Sequence, residues 1–322
     1  MNTGRPRLPL TVIGGFLGAG KTTLLNRLLR ESAGRRLAVL VNDFGALNID
    51  AELVAKNAGD TIALTNGCVC CSIGDDLTDA LIRVLEGAQP FDAVVIEASG
   101  VSDPWRIAQV GLADPGLSLE GVIVLVDAGA VLEQAADPLL ADSLERQLKS
   151  ADLVVVNKVD QADARQRRRV LDWVAGIVGT TPVFESARAI LPPGLLVGPA
   201  LAPGDRGRSA HEAGAEDTAH AGQLHDDHAG QFETWSCSPR AVLAAQRLRA
   251  WLRSRPAGVL RLKGLVRTDE HGWAEIQFSG RNRSLRKAAA LPAQGAAVVA
   301  IGLSGRLPAA TLEALFDPPY TG

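Results

Sequence analysis

Gly15-Phe16-Leu17-Gly18-Ala19-Gly20-Lys21-Thr22 fits the pattern G-x-x-x-x-G-K-[ST] in full. Glycines let a backbone curl until successive N–H groups converge, and converging N–H groups hold phosphate oxygens. An apolar stretch at 10–13 precedes the loop and a helical stretch at 22–30 follows it, so the positive end of a helix adds to the field. Gly15, Gly18, Ala19 and Gly20 are the expected cradle. Lys21 is the cation expected to bridge the β- and γ-phosphates, and Thr22 a ligand of Mg²⁺.

A second motif selects the base. Asn157-Lys158-Val159-Asp160 closes an apolar run at 153–156, and at the carboxyl end of a parallel strand, loops meet the ligand. The Asp160 carboxylate can accept two hydrogen bonds from guanine, at the ring N–H and the exocyclic amine. Adenine lacks that donor pair, and discrimination of this kind reaches about 10⁴-fold. The Lys158 stem lies over the base and Asn157 ties loops together. Ser186-Ala187, after a short strand at 183–184, fits the loop that closes over the guanine oxygen. GTP is therefore the expected nucleotide. Two acids stand where its γ-phosphate would be handled. Glu97 ends the apolar run 93–96, placed to hold Mg²⁺ through water or to orient the attacking water, and Gly100 brings an N–H to the γ-phosphate. Asp43, in Asn42-Asp43-Phe44-Gly45, is the second candidate for the Mg²⁺ shell. No arginine finger is evident, so slow intrinsic hydrolysis is expected, with a client supplying the missing group.

The third cluster is sulfur. Three of the four cysteines fall within four positions, Cys68, Cys70 and Cys71. Neighbours that close cannot staple a fold by disulfides. Three thiolates suit Zn²⁺, Cu⁺ or another soft or borderline ion. A tetrahedron then lacks one ligand, which water, Asp43 or a partner can supply, and an incomplete site suits a protein that releases its metal. A redox pair or buried structural cysteines are the bland alternatives. Isolated Cys237 reads as a small core or edge residue.

These residues need a scaffold. Apolar runs recur at 10–13, 37–41, 61–64, 93–96, 122–126 and 153–156, mostly continuous and rich in Val, Ile and Leu, as strands buried on both faces of a parallel sheet are. Helical periodicity lies between them at 75–88 and 163–178. The expected architecture is α/β: a doubly wound, mostly parallel P-loop NTPase sheet over residues 1–191. Residues 192–231 are rich in Pro, Gly, Ala, Asp and Glu without apolar periodicity, and read as a flexible linker. Residues 232–322 read as a smaller α+β domain, with strands at 232–235, 259–267, 273–278 and 297–302. Its first helix is expected to start at Ser238-Pro239, a cap followed by proline, and a short helix is expected at 309–316.

At 322 residues and 47% hydrophobic, the chain can bury two cores, and wholesale disorder is excluded. The formal charge of −3 gives no global pull toward nucleic acid or anionic lipid, and no apolar run approaches the roughly 20 residues of a bilayer span. Neither a nucleic-acid nor a membrane partner is expected, and the expected location is the cytoplasm. Charge is uneven: 18 basic against 24 acidic side chains in 1–191, and 13 against 6 in 232–322. The scattered arginines of the basic part offer no stacking platform for RNA. They suit an acidic neighbour or client.

In their order, GGFLGAGKTTLLNRLL, NDFG, NGCVCCSIGDDL, EASGVSDP and NKVD resemble the CobW-type metallochaperone GTPases over residues 10–188, and FETWS with GVLRLKGLV resembles that family's C-terminal domain more loosely. The resemblance implies GTP-dependent delivery of a metal, most often zinc, to a client metalloprotein, and adds Co²⁺ as a further candidate. It makes Gly18, Gly20, Lys21, Thr22 and Thr23 phosphate and Mg²⁺ contacts, Glu97 the acid ending the Walker B strand, Cys68, Cys70 and Cys71 the zinc ligands, and Asn157 and Asp160 guanine contacts. The family usually reads Asn-Glu-Phe-Gly-Glu where this chain has Asp43 and Ala46. The first change keeps a carboxylate and the second removes one. Four histidines, His211, His220, His225 and His228, lie in the linker. They read equally as a metal-gathering arm or as incidental residues of a solvated segment, and His271 reads as a surface residue in a hairpin turn. Rival readings are a small-molecule kinase, against which N-K-x-D speaks, a nickel- or cobalt-insertion GTPase, and a zinc store without catalysis.

Overall fold

The computed structural model describes residues 7–31, 35–41, 61–63, 75–87, 89–197, 232–254, 256–288 and 295–317. Asp43, Cys68, Cys70, Cys71 and the four linker histidines lie outside the described residues.

Two compact units divide the chain, the first running Arg7–Val197. Seven strands form its sheet: β1 Leu8–Gly15, β2 Leu37–Val41, β3 Thr61–Ala63, β4 Ala93–Glu97, β5 Leu117–Asp127, β6 Leu153–Asn157 and β7 Val183–Glu185. Their order is β3-β2-β4-β1-β5-β6-β7, and every neighbouring pair is parallel. The helices are α1 Lys21–Glu31, α2 Asp75–Glu86, α3 Pro104–Ala113, α4 Val131–Ala136, α5 Pro138–Ser150, α6 Ala164–Val178 and α7 Pro193–Val197. All five residues of β2, β4 and β6 are buried, which is why these strands read as continuous apolar runs. The chain builds outward from β1 on one side and then, after β4, on the other. Gly15 thus ends a strand at the reversal point, where open α/β sheets bind ligands.

Four helices beyond those the apolar pattern predicts, α3, α4, α5 and α7, complete this unit. α3 and α5 each begin with proline behind an aspartate cap: Asp103 accepts from the Trp105 N–H and Asp137 from the Leu139 N–H, both at 2.9 Å. α4 fills the turn between β5 and α5. Residues 193–197, expected within a flexible linker, are helical. Leu195, Leu196 and Val197 of α7 are buried, α7 packs on β1, β4 and α1, and the Thr11 hydroxyl donates to the Leu196 carbonyl.

The C-terminal unit carries β8 Phe232–Cys237, α8 Ala245–Arg253, β9 Val259–Thr268, β10 Gly272–Ser279, β11 Asn282–Lys287, β12 Ala297–Leu303 and α9 Ala309–Phe316. The antiparallel order is β11-β10-β9-β12-β8. Leu248, Leu252, Leu312 and Phe316 of the helices bury against Leu262, Val266, Ile276, Val298 and Ala300 of the sheet. Two expectations change here. β11 was not foreseen, and the first helix starts at Ala245 rather than at Ser238. The Leu243 N–H instead pairs with the Arg267 carbonyl at 2.8 Å, and the Asp269 carboxylate caps the helix by accepting from the Ala245 N–H at 2.8 Å. His271 lies in the β9–β10 turn, half-buried beside Arg249 and Glu270. Cys237 ends edge strand β8. Burial, reinforced by Asp317 and Glu313, pushes its thiol up to about 12, so it stays protonated at neutral pH. Among the described residues no helix is long and apolar enough to cross a membrane.

α3 lies unusually close to β1, because a Cβ at Gly14 would collide with the Pro104 ring. Gly14→Ala is expected to cost about 1–3 kcal/mol through overpacking. Differential scanning calorimetry should show the first unit melting about 2–10 °C lower; an unchanged transition would mean α3 shifts freely.

Candidate nucleotide-binding site

β1 ends at Gly15 and α1 begins at Lys21, so residues 16–20 must reverse the chain. Gly15, Gly18 and Gly20 do so at φ 134°, 77° and 102°, angles that strain any other residue. Space excludes side chains as well: a Cβ at Gly15 would meet the Leu125 carbonyl, and one at Gly20 the Asn157 carboxamide. Within the loop the Ala19 N–H donates to Phe16 O at 3.2 Å, and the Leu24 N–H donates to Gly20 O at 3.0 Å to begin α1. Lys21 is buried, and a buried ammonium needs acceptors. It donates to Gly15 O at 2.9 Å and to Phe16 O at 3.2 Å. Thr22 is half-buried and Thr23 exposed on the first turn of α1.

Glu97, 2% exposed, ends β4 in register with Ile13 of β1 and Val41 of β2. The chain then turns beside the phosphate loop. A Cβ on Gly100 would stand 2.9 Å from the Leu17 nitrogen, and the Ser99 and Ser102 hydroxyls share a 2.5 Å hydrogen bond. Gln147 of α5 is buried between these two segments. Its Oε1 accepts from the Gly15 N–H at 3.1 Å and its Nε2 donates to Gly100 O at 3.0 Å.

On the other flank, Asn157 does a parallel job. Its Nδ2 donates to Ala19 O and its Oδ1 accepts from the Ala189 N–H, both at 2.8 Å. Lys158 follows in the left-handed region, φ 60°, and its ammonium donates to Asp127 Oδ2 at 2.7 Å. Asp127, at the end of β5, also accepts from the Gly129 N–H at 2.8 Å. Asp160 sits on the 3-10 turn Val159–Gln161, exposed and engaged by no described residue. After β7, Ser186 is fully buried; its hydroxyl accepts from the Ile190 N–H at 2.8 Å, and Arg188 and Ala189 both take positive φ. This curl brings the Ala189 N–H to the Asn157 carboxamide. Arg167 of α6 donates to Glu185, a hydrogen bond that raises the guanidinium pKa and fastens α6 to the start of the loop.

The phosphate motif, Glu97 with Gly100, the N-K-x-D turn and the Ser186 loop thus share one edge of one sheet. Gln147 and Asp127 belong to the same assembly and were not foreseen. Asp127 has a readable signal, since it ends the apolar run 122–126 as Asn157 ends 153–156. Gln147 has none, being one polar residue within a helix. Among the described residues no group of three or more His, Cys, Asp or Glu is poised to hold a metal ion.

Residues 9–185, more than half of the chain, match the CobW/HypB/UreG nucleotide-binding domain, and residues 232–318 match the cobalamin synthesis protein cobW C-terminal domain. The chain belongs to the CobW family. The CobW-family first unit is a P-loop GTPase domain. Among its relatives, the zinc chaperone CobW of Sinorhizobium sp is 35% identical over 255 residues, 68% of this chain and 70% of that protein. The zinc chaperone YjiA of Escherichia coli K12 is 37% identical over 197 residues, 59% of this chain and 60% of that protein. The crystal structure of Zn(II)-bound YjiA GTPase from E. coli aligns over 97% of this chain and 98% of its own at 24% identity, with a TM-score of 0.46.

Asn157→Ala strands the Ala19 carbonyl and the Ala189 N–H, each at a cost of about 1–3 kcal/mol if water does not replace the amide. Calorimetry is expected to show the first unit melting at least about 4 °C lower. A smaller drop would show that the two loops are held together by other means.

Proposed function

We propose that this chain binds and hydrolyses GTP and, under the control of the bound nucleotide, passes zinc held at Cys68, Cys70 and Cys71 to a client metalloprotein in the cytoplasm. One observation carries the reading. β3, β2, β4 and β1 are consecutive, parallel and in register. The chain therefore leaves β3 toward the cysteines on the edge from which it leaves β1 into the phosphate loop. Three strand spacings separate those exits, about 14 Å. The five residues from Ala63 to Cys68 can reach at most about 17 Å.

In this reading the loop N–H groups of Gly18, Ala19 and Gly20 receive the phosphates, and Lys21 donates to phosphate oxygens. The Thr22 hydroxyl and the Glu97 carboxylate are hard oxygen donors beside that loop, and such donors fit Mg²⁺. When bound, the ion neutralises charge building on the β- and γ-phosphates. Asp43 adds a carboxylate to that shell or to the thiolates. Glu97 orients the attacking water and Gly100 meets the γ-phosphate. Asp160 takes the guanine edge, while Lys158, steadied by Asp127, lies over the ring. Ser186 shapes the loop through which Ala187 meets the guanine oxygen. Zinc is cargo here: three thiolates leave one tetrahedral position through which a client ligand can enter. A zinc store without catalysis would leave the buried Lys21 and two loop-tying carboxamides without purpose.

Two measurements test this. Competitive zinc titration is expected to give affinities differing by about 5–150-fold between the GTP-bound and GDP-bound forms, with nucleotide affinity changing reciprocally. Lys21→Ala should lose nucleotide and keep zinc, and Cys70→Ala the reverse. Equal zinc affinity with GTP, with GDP and without nucleotide would defeat nucleotide control. Separately, Asp160→Asn presents an amide donor where guanine has its amine. It is expected to weaken GTP binding at least about 100-fold and to favour xanthosine triphosphate, whose carbonyl accepts that donor. Unchanged nucleotide preference would remove Asp160 from the base site.

A further inference from the structure

Gln147 joins two backbone segments that are far apart in sequence. Gly15 opens the phosphate loop, and Gly100 lies in the turn after Glu97. The partners fix which way the amide points: Gly15 offers an N–H, so it must face Oε1, and Gly100 offers a carbonyl, so it must face Nε2. Both segments are closely packed. Gly15 is backed by the Leu125 carbonyl, and Gly100 is pressed against Leu17 of the loop itself. The residue is 2% exposed on a helix anchored by buried Leu144 and Leu148 and by the Asp137 cap. The same helix leads into β6, which carries Asn157 and the base motif.

We propose that Gln147 is a positioning residue for GTP hydrolysis: it sets the Gly100 turn against the phosphate loop so that the turn meets the γ-phosphate. This rests on the reading that the chain hydrolyses GTP. GDP has no γ-phosphate for the turn to meet, so the amide matters for turnover and for GTP more than for holding GDP.

Gln147→Met keeps length and flexibility but removes both bonds without adding charge beside the phosphates. In the full-length protein, steady-state hydrolysis is expected to show kcat at least tenfold lower. GDP affinity, read by fluorescence of a labelled nucleotide, should fall by a clearly smaller factor than kcat. A merely structural role would lower GDP affinity in proportion to kcat, and that result overturns the proposal, as does an unchanged kcat. Should the variant fail to fold, hydrogen exchange on the unaltered protein decides: the Gly15 amide is expected to be protected with GDP and with a non-hydrolysable GTP analogue alike. Rapid exchange of that amide in the analogue-bound form overturns the proposal. Unaltered protein that turns over no GTP defeats the underlying reading instead, whereas normal turnover by both proteins defeats the role of Gln147 alone.

Discussion

A backbone loop that turns most of its N–H groups toward an anion can spend few of them on itself, so much of its shape must be imposed from outside. Here the imposition comes from three buried polar side chains. Lys21 holds the Gly15 and Phe16 carbonyls, Gln147 the Gly15 N–H, and Asn157 the Ala19 carbonyl. Each group alone would be costly to bury. Together with the loop they satisfy one another, and they arrive from three elements: α1, α5 and β6. The two carboxamides are anchored at their far ends as well, Gln147 on the Gly100 carbonyl and Asn157 on the Ala189 N–H. The loop is thus clamped at its entrance to the turn that follows Glu97 and at its exit to the loop that follows β7.

That clamp depends on a parallel sheet. Only parallel strands deliver all their carboxyl ends to one edge, and seven do so here. The base flank shows the consequence. Asp127 and Asn157 are register partners on β5 and β6, so an acid that accepts the Lys158 ammonium comes from the neighbouring strand rather than from the motif itself. Lys158 takes a left-handed backbone conformation to make this contact while Asn157 turns back toward the phosphate loop. One short peptide thereby reaches the phosphate loop through its first residue and the end of β5 through its second.

What could be read in advance was local. The phosphate motif and N-K-x-D are contiguous, and strands buried on both faces announce themselves as apolar runs. What escaped was set by distant partners. The cap of α8 is Asp269, 24 residues from the N–H it receives, so the nearer Ser238-Pro239 pair pointed to the wrong start. β11, Asn-Arg-Ser-Leu-Arg-Lys, is a half-exposed edge strand with no apolar alternation to betray it. α7 hides three buried residues behind a Pro-Pro-Gly sequence typical of linkers. Gln147 acts through contacts 132 and 47 positions away, and nothing in its neighbourhood distinguishes it from a surface glutamine. The Asp-Pro starts of α3 and α5 are legible in the sequence as a cap followed by proline.

The proposed link between metal and nucleotide can be weighed by magnitude. Across about 14 Å, two unit charges interact by about 0.3 kcal/mol in water and about 1.2 kcal/mol at an effective dielectric of 20. Salt with a Debye length of about 8 Å reduces either figure for exposed groups. Coupling between sites usually amounts to about 1–3 kcal/mol. Unscreened charge reaches only the foot of that range and screened charge falls below it, so a larger coupling needs a differential contact. β2 and β4 lie between β3 and β1 in the sheet. In sequence, Asp43 comes shortly after β2, while Glu97 ends β4 and Gly100 follows it. Of these, Gly100 is the one the fold ties to the phosphate loop, by an amide on α5.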